Sequence, residues 1–346
     1  MTIDAVLLLS FGGPEGPDDV LPFLRNVTRG RNVPDERLAE VAEQYERFGG
    51  RSPINDHCRE LRAAVEAELA AHGPQLPVYW GNRNWHPFVS DTVARMADDG
   101  IGHAAVFVTS AFGTYSGCRQ YQEDLERARD EVGERAPTLT KLRLFYNHPG
   151  FVEPQGARLR AALDGAGIGD GPVRLVFTAH SIPTSMAAGC DYQAQLAEAA
   201  DLVRAAAGLP DSTPHDVVFQ SRSGPPQVPW LEPDVNDHLA SVAADPGGSD
   251  VPVAVVPLGF VSDHMEVLFD LDTQARDTAD RLGLSMIRVP TVGTDPRFVT
   301  MVRELVAEQT DAAPKLHLGS AGPWPDRCPE GHCPPPRRPA TRPTGD

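Results

Sequence analysis

The stretch from Val251 to Asp277, VPVAVVPLGFVSDHMEVLFDLDTQARD, constrains the fold more than any other part of the chain. Val251 to Pro257 is apolar, rich in β-branched residues and free of charge. Such a run is stable where both faces of a strand are covered, as in the centre of a parallel sheet flanked by helices. Gly259 and Phe260 turn the chain, and a helical pattern begins near Asp263. On an α-helix Asp263, Glu266 and Asp270 stand on one face, with Asp277 two turns further along. The stretch therefore predicts a strand that delivers His264 and a row of carboxylates to the carboxyl edge of a sheet. In open α/β sheets ligands bind at that edge. Acidic residues in a first turn also favour the helix dipole with no further role. Three on one stripe, however, repel unless solvated or holding cations. The row predicts a path for a divalent cation or for protons.

Strand-like and helix-like segments alternate along most of the chain. Strands are expected at Ala5–Ser10, Pro77–Trp80, Ala104–Ser110, Leu142–Tyr146, Val173–Ala179, Val217–Gln220, Val253–Pro257 and Met286–Arg288. Amphipathic helices are expected between them, among others at His57–Ala71, Tyr121–Val132, Gln193–Ala207 and Arg297–Glu308. The alternation predicts an α/β fold of parallel, doubly wound sheets with right-handed crossovers. The pattern divides into two α/β halves, 1–149 and 150–311, with a break near His148–Gly150 and a Pro-rich tail over 312–346. The 346 residues suffice for two domains. A formal net charge of −17 argues against a nucleic-acid partner and against adhesion to an anionic membrane surface. The N-terminal run MTIDAVLLLSFGG has no basic region and carries Asp4, so it reads as a first strand rather than a signal peptide. No run approaches the ~20 apolar residues of a membrane span. A soluble cytoplasmic protein is expected, and five cysteines make a poor disulfide framework.

Several loops at the ends of these strands carry chemistry. The stretch SFGGPEGP after the first strand is neither GxGxxG nor a phosphate loop, and its two prolines make it rigid. Arg29 and Arg31 flank Gly30 in a loop suited to carboxylates, which guanidinium meets with two parallel hydrogen bonds. Arg51 and Ser52 lie in a turn closing on Pro53, and WGNRNWHPF offers Arg83, Trp85, His86 and Phe88 to a flat acidic aromatic ligand or to an ordinary turn. His180 and Ser181 follow the strand Val173–Ala179, at an edge His180 would share with Glu266. Neutral imidazole is a common ligand of a divalent metal. Arg222 and Trp230 lie in a loop fixed by four prolines, suited to the wall of a cleft.

The strings SFGGP, GGRSPIN, FTAHSIP, QSRSGPPQVPWLEPD and PLGFVSDHMEVLFD, in this order, closely resemble the ferrochelatases. The resemblance runs from about Ile3 to about Leu305, and QSRSGPPQVPWLEP with the Cys-bearing tail looks like the actinobacterial branch. It implies two similar chelatase-type domains with a porphyrin cleft between them, and insertion of Fe²⁺ into coproporphyrin III with release of two protons. It places the metal-facing, catalytic pair on His180 and Glu266, and porphyrin contacts on Ser52 and Tyr121. Phe11 stands where related enzymes often have Tyr, so it can pack under the ring but cannot ligate iron. Arg29 and Arg31 are the candidates for the propionates. Which of His180 and Glu266 is the base and which guides metal stays open, and Asp263, Asp270 and Asp277 are the candidate path. Two further readings are a tetrapyrrole or metal carrier without turnover and a cobalt or nickel chelatase of similar fold. The product's expected receiver is a downstream coproheme decarboxylase.

From about Asp311 prolines forbid regular structure, and WPDRCPEGHCPPP lies in this segment. Such a tail is disordered by default, with free thiols. The resemblance implies instead a [2Fe–2S] cluster held by one internal and three tail cysteines. Cys118 matches the internal position and Cys328 and Cys333 two of the tail positions. The third tail cysteine is missing, so His332 is the expected fourth ligand, with Cys190 and Cys58 as the other options.

Overall fold

The computed structural model describes residues 2–30 and 33–335. In chain order the elements are β1 (Ala5–Ser10), α1 (Pro17–Val27), α2 (Asp35–Glu46), α3 (Ile54–His72), β2 (Val78–Asn82), α4 (Val89–Asp98), β3 (His103–Val108), α5 (Gln120–Val132), β4 (Thr138–Lys141) and α6 (Pro149–Gly165). The second half continues with β5 (Arg174–His180), α7 (Thr184–Ala187), α8 (Tyr192–Ala206), β6 (His215–Gln220), α9 (Val235–Ala244), β7 (Val253–Val256), α10 (Met265–Val267), α11 (Arg276–Leu282), β8 (Met286–Arg288) and α12 (Pro296–Thr310). Two π-helical stretches interrupt this list, Tyr115–Arg119 before α5 and Leu268–Ala275 between α10 and α11.

The strands form two four-stranded parallel sheets, ordered β2-β1-β3-β4 and β6-β5-β7-β8. Each half uses the same order: its first strand lies between its second and third. Successive crossovers leave β1, and likewise β5, toward opposite edges, which opens a crevice at the strands' carboxyl ends. The all-apolar run predicted to be central is so: Val253 to Val256 are all buried, between β5 and β8.

The fourth strand differs from the sequence expectation. Leu142–Tyr146 was expected, but the pairing strand is Thr138–Lys141, directly upstream. Its threonines suit a half-exposed edge. Leu142, Leu144, Phe145 and Tyr146 are apolar because they enter the core, with Phe145 stacked on Phe107 at 5.1 Å.

One core cluster includes side chains from both sheets, among them Phe107 and Phe145 of the first half and Leu175 and Phe177 of the second. The helix α12 closes it: Phe298 meets Phe107 at 6.0 Å and Phe145 at 5.9 Å, and Arg303 bonds Glu68 of α3 at 2.9 Å. Arg143 and Glu308 form a fully buried two-pronged ion pair, both bonds 2.8 Å, and Arg143 also donates to Leu316 O. The tail is irregular, as its prolines require, but it does not leave the surface. Leu318 N donates to Asn147 O at 2.8 Å, Ser320 and Ala321 donate to Glu198 at 3.1 Å, and Cys333 N donates to Gly189 O at 2.9 Å. Among the described residues no helix is long and apolar enough to cross a membrane.

Candidate active site

His180 is the last residue of β5, and Glu266 lies in α10, shortly after the neighbouring strand β7. The two side chains thus meet at the switch point of the second sheet. Gly259 makes this approach possible. A Cβ there would stand 2.8 Å from both Cα and Cβ of Ala179, and Gly259 N donates to Thr178 O at 2.9 Å. The chain leaving β7 therefore presses onto the end of β5 before turning into α10.

His180 Nε2 lies 3.5 Å from Glu266 Oε1, and the two side chains retain 35 % and 48 % of their exposure although protein surrounds them. The other ring nitrogen, Nδ1, is bonded to Ser181 O. A carbonyl can only accept, so Nδ1 carries the hydrogen and neutral His180 presents the Nε2 lone pair. Burial disfavours the imidazolium, but the charge of Glu266 and its hydrogen bond outweigh burial, and the pKa of His180 is raised. Burial alone would raise Glu266, but His180 and His264 hold it below the usual carboxylate range. Behind them, burial and then the charge of Glu266 push Asp270 up to about 6, against hydrogen bonds from Ser221 and Gln220.

The carboxylate row is shorter than predicted. The helix begins at Met265, and from Leu268 its bonds run i→i+5, which changes the residues that stand above one another. Glu266 and Asp270 stay together. Asp263 leaves the row: Arg288 binds it, and Thr291 N donates to it at 3.3 Å. Asp277 is exposed on α11. The π-helical stretch has no signal in hydrophobic periodicity, so the sequence could not foretell it.

Two residues of the first half face this pair and were missed. Tyr45 of α2 feels the charge of Glu266, which with burial raises its hydroxyl pKa, and His57 of α3 acts on His264. Tyr45 packs on Phe23 at 6.1 Å, and Phe23 meets Phe11 and Trp85. The pair therefore looks across a gap lined by α1, α2 and α3. No motif in the sequence of α1 or α2 marks this wall.

The other expected residues are placed as follows. Phe11 is 37 % exposed at the end of β1. Ser52 is buried, its N–H donating to Pro14 O, and Tyr121 is buried beneath the Arg83 guanidinium, 4.4 Å from its ring. Arg83 itself is bound by Asp124. Arg29 is exposed in the turn after α1, and Arg31 lies outside the described residues. Arg222 folds its own loop, donating to Pro226 O and Val228 O. A cavity of about 580 Å³ lies elsewhere, between α8 and the tail, and contains neither His180 nor Glu266.

Four thiols gather where the tail meets the two halves. Cys118 contacts Cys328, and Cys190 contacts Cys333. Within the pairs, hydrogen bonding from Cys118 draws Cys328 down to about 5, and that from Cys333 draws Cys190 down to about 7. No three His, Cys, Asp or Glu side chains among the described residues have the spacing of a single-ion site, and all five cysteines are free. Two thiol pairs are a donor set that would fit a two-iron cluster, which takes two ligands on each iron. His332, expected as the fourth ligand, has both ring nitrogens engaged: Nδ1 with Cys333 Sγ at 3.0 Å and Nε2 with Asp191 at 3.2 Å. Cys58 is buried in α3, its thiol bonded to Ser10 and Trp80.

A sequence model described as Ferrochelatase matches residues 3–310. The chain is 53 % identical to "Coproporphyrin III ferrochelatase" of Nocardia farcinica, over 98 % of this chain and 99 % of the relative. It is 54 % identical to the protein of the same description from Frankia alni, over 97 % and 88 %, and 50 % identical to "Ferrochelatase" of Rhodopirellula baltica, over 95 % and 93 %. Among solved structures, SirB from Bacillus subtilis with Fe³⁺ superposes with a TM-score of 0.56 at 12 % identity, over 89 % of this chain and 97 % of that one. That likeness shows a chelatase-like fold.

Proposed function

The chain belongs to the ferrochelatase family, and from that membership we propose that it inserts Fe²⁺ into coproporphyrin III, releasing two protons. The observation that carries the residue-level reading is the opposition of His180 and Glu266 at 3.5 Å, in the gap between the halves.

Insertion exchanges two pyrrole protons for one metal ion, so the site needs a proton acceptor at the ring and an anionic group to stabilise what it becomes. His180 is the acceptor. Its Nδ1 is committed to Ser181 O, so a pyrrole proton arrives at Nε2 and is at once hydrogen-bonded to Glu266. Asp270, with a pKa of about 6, can hold a proton near neutral pH and receives it next. Glu266, held ionised, also supplies anionic oxygen to incoming iron. Ser52, Tyr121 and Phe11 bound the porphyrin on the side of the first half, and Arg29 and Arg31 meet propionates. The functional units are 1–149, 150–311 and the tail 312–346. Acidic composition and free thiols suit the cytoplasm, where a coproheme decarboxylase would take the product.

The tail enters this reading as the holder of a [2Fe–2S] cluster, for which two pairs of thiols are a fitting donor set. Such a cluster would supply one-electron chemistry or a structural staple; metal insertion itself transfers no electron.

Anaerobic incubation of the purified chain with Fe²⁺ and coproporphyrin III tests the function. Catalytic decay of the free-base spectrum is expected. Stoichiometric uptake that stops at one equivalent would identify a carrier, and faster insertion of Co²⁺ or Ni²⁺ would identify a different chelatase.

A further inference from the structure

The tail could reach many places on the surface, yet its two cysteines end against two others that lie far apart in sequence. Cys118 sits in the π-helical turn after β3, with the Lys141 ammonium 3.3 Å from its sulfur. Cys190 sits between α7 and α8 in the other half. Each takes one tail cysteine: Cys328 goes to Cys118 and Cys333 to Cys190. The two pairs lie close enough that Cys118 and Cys328 also act on Cys333.

The backbone is shaped to hold the second pair. Cys333 has φ of +51°, a left-handed conformation that a non-glycine residue adopts at a cost. Its N–H is fixed on Gly189 O at 2.9 Å. A Cβ at Gly189 would stand 2.7 Å from Pro334, so glycine is what lets the tail lie against the Cys190 turn. His332 is turned toward Cys333 and Asp191 and is in hydrogen-bond contact with both, which suits a neighbour of the sulfur rather than a group that replaces it.

We propose that Cys118, Cys190, Cys328 and Cys333 are the four ligands of the cluster, and that His332 is a hydrogen-bond partner of Cys333 instead of a ligand. The assignment rests on the cluster reading above. It differs from one internal plus three tail ligands in a way that matters mechanically. One thiolate comes from each half and two from the tail, so the cluster is a clasp across the halves. The Cys190 arm is also two residues from Tyr192, whose hydroxyl donates to the carbonyl of His180 at 3.0 Å. The Cys118 arm leads directly into α5, which carries Tyr121.

The test is anaerobic purification of the full chain and its variants, with iron and sulfide analysis, visible absorption and redox titration. Wild type is expected to hold two irons and two sulfides. Cys190→Ser is expected to lose the cluster while its far-ultraviolet circular dichroism stays that of wild type, and Cys58→Ser to keep it. His332→Asn is expected to retain the cluster with a shifted potential, because only a hydrogen bond to sulfur is changed. Retention in Cys190→Ser together with loss in His332→Asn would overturn the ligand assignment and leave the cluster reading intact. Wild-type protein with no iron or sulfide would overturn both.

Discussion

Replacing Gly259 by Ala perturbs the proposed catalytic pair, His180 and Glu266, without touching either member. The added Cβ would lie 2.8 Å from Cα and Cβ of Ala179, whereas ordinary contacts begin near 3.4 Å. The difference, 3.4 − 2.8, requires β5 and the turn after β7 to part by at least about 0.6 Å. The obstacle is backbone and cannot rotate away. Overpacking of this kind costs about 1–3 kcal/mol. Because His180 follows Ala179 and Glu266 follows the displaced turn, the 3.5 Å separation widens by a similar amount. Misplacement on the scale of an ångström lowers turnover by up to about 10²-fold. Initial rates of anaerobic Fe²⁺ insertion should therefore fall by about 10- to 10²-fold in Gly259→Ala, with porphyrin binding nearly unchanged. Gly165→Ala is the control, since a Cβ there meets nothing within 4 Å. Its stability and rate should equal or slightly exceed those of wild type. A Gly259→Ala enzyme with wild-type rate and melting temperature would refute the claim that this contact sets the site.

Further outcomes follow from the same geometry. His180→Ala should abolish insertion while porphyrin affinity, read by fluorescence quenching, changes only a few-fold. Glu266→Gln should lower turnover by about 10² or more; it also removes the charge that raises His180, so the acid limb of the residual rate should move to lower pH. Removing the Glu308 carboxylate strands Arg143 in the core and should cost about 3–5 kcal/mol in urea unfolding, whereas Arg143→Met with Glu308→Leu should cost far less. Buried His148 is neutral, its pKa lowered to about 3, chiefly by burial and further by Arg143. Its unfolded form titrates near 6.5, so stability should fall as pH drops from about 6.5 toward 3, by up to about 1.4 kcal/mol per pH unit. His148→Gln should flatten that slope in pH-dependent urea melts.

What the sequence made legible is what is periodic or compositional. Strands β1, β5 and β7 announce themselves because parallel strands covered on both faces must be apolar throughout. The placement of His180 and Glu266 at one sheet edge was legible because each lies at or beyond the end of such a strand, while their pairing as metal-facing residues came from the resemblance. What stayed hidden depended on partners far away in the chain. β4 is a polar edge strand beside an apolar segment that is buried without being paired, so burial misled the reading. Asp263 looked like part of a stripe until Arg288 drew it off, and the π-helical stretch shifted the rest. Tyr45 and His57 belong to the other half and carry no motif. For the tail, the proline-rich composition gave a disordered segment by default and only the resemblance gave its cysteines a partner; the folded chain places Cys190 beside Cys333.

The position of α12 has a consequence for synthesis. Phe298 covers Phe107 and Phe145, yet it emerges from the ribosome 298 − 107, or 191, residues after Phe107. At about 5–20 residues per second, that face of the first sheet waits roughly 10–40 s for its cover. During that interval Phe107 and Phe145 lack the cover that Phe298 supplies, and the first half cannot reach its final packing. The enzyme therefore acquires its native core only as its last helix arrives. A ribosome stalled shortly before Pro296 would display a sticky, incompletely closed half, which is the form most in need of a chaperone.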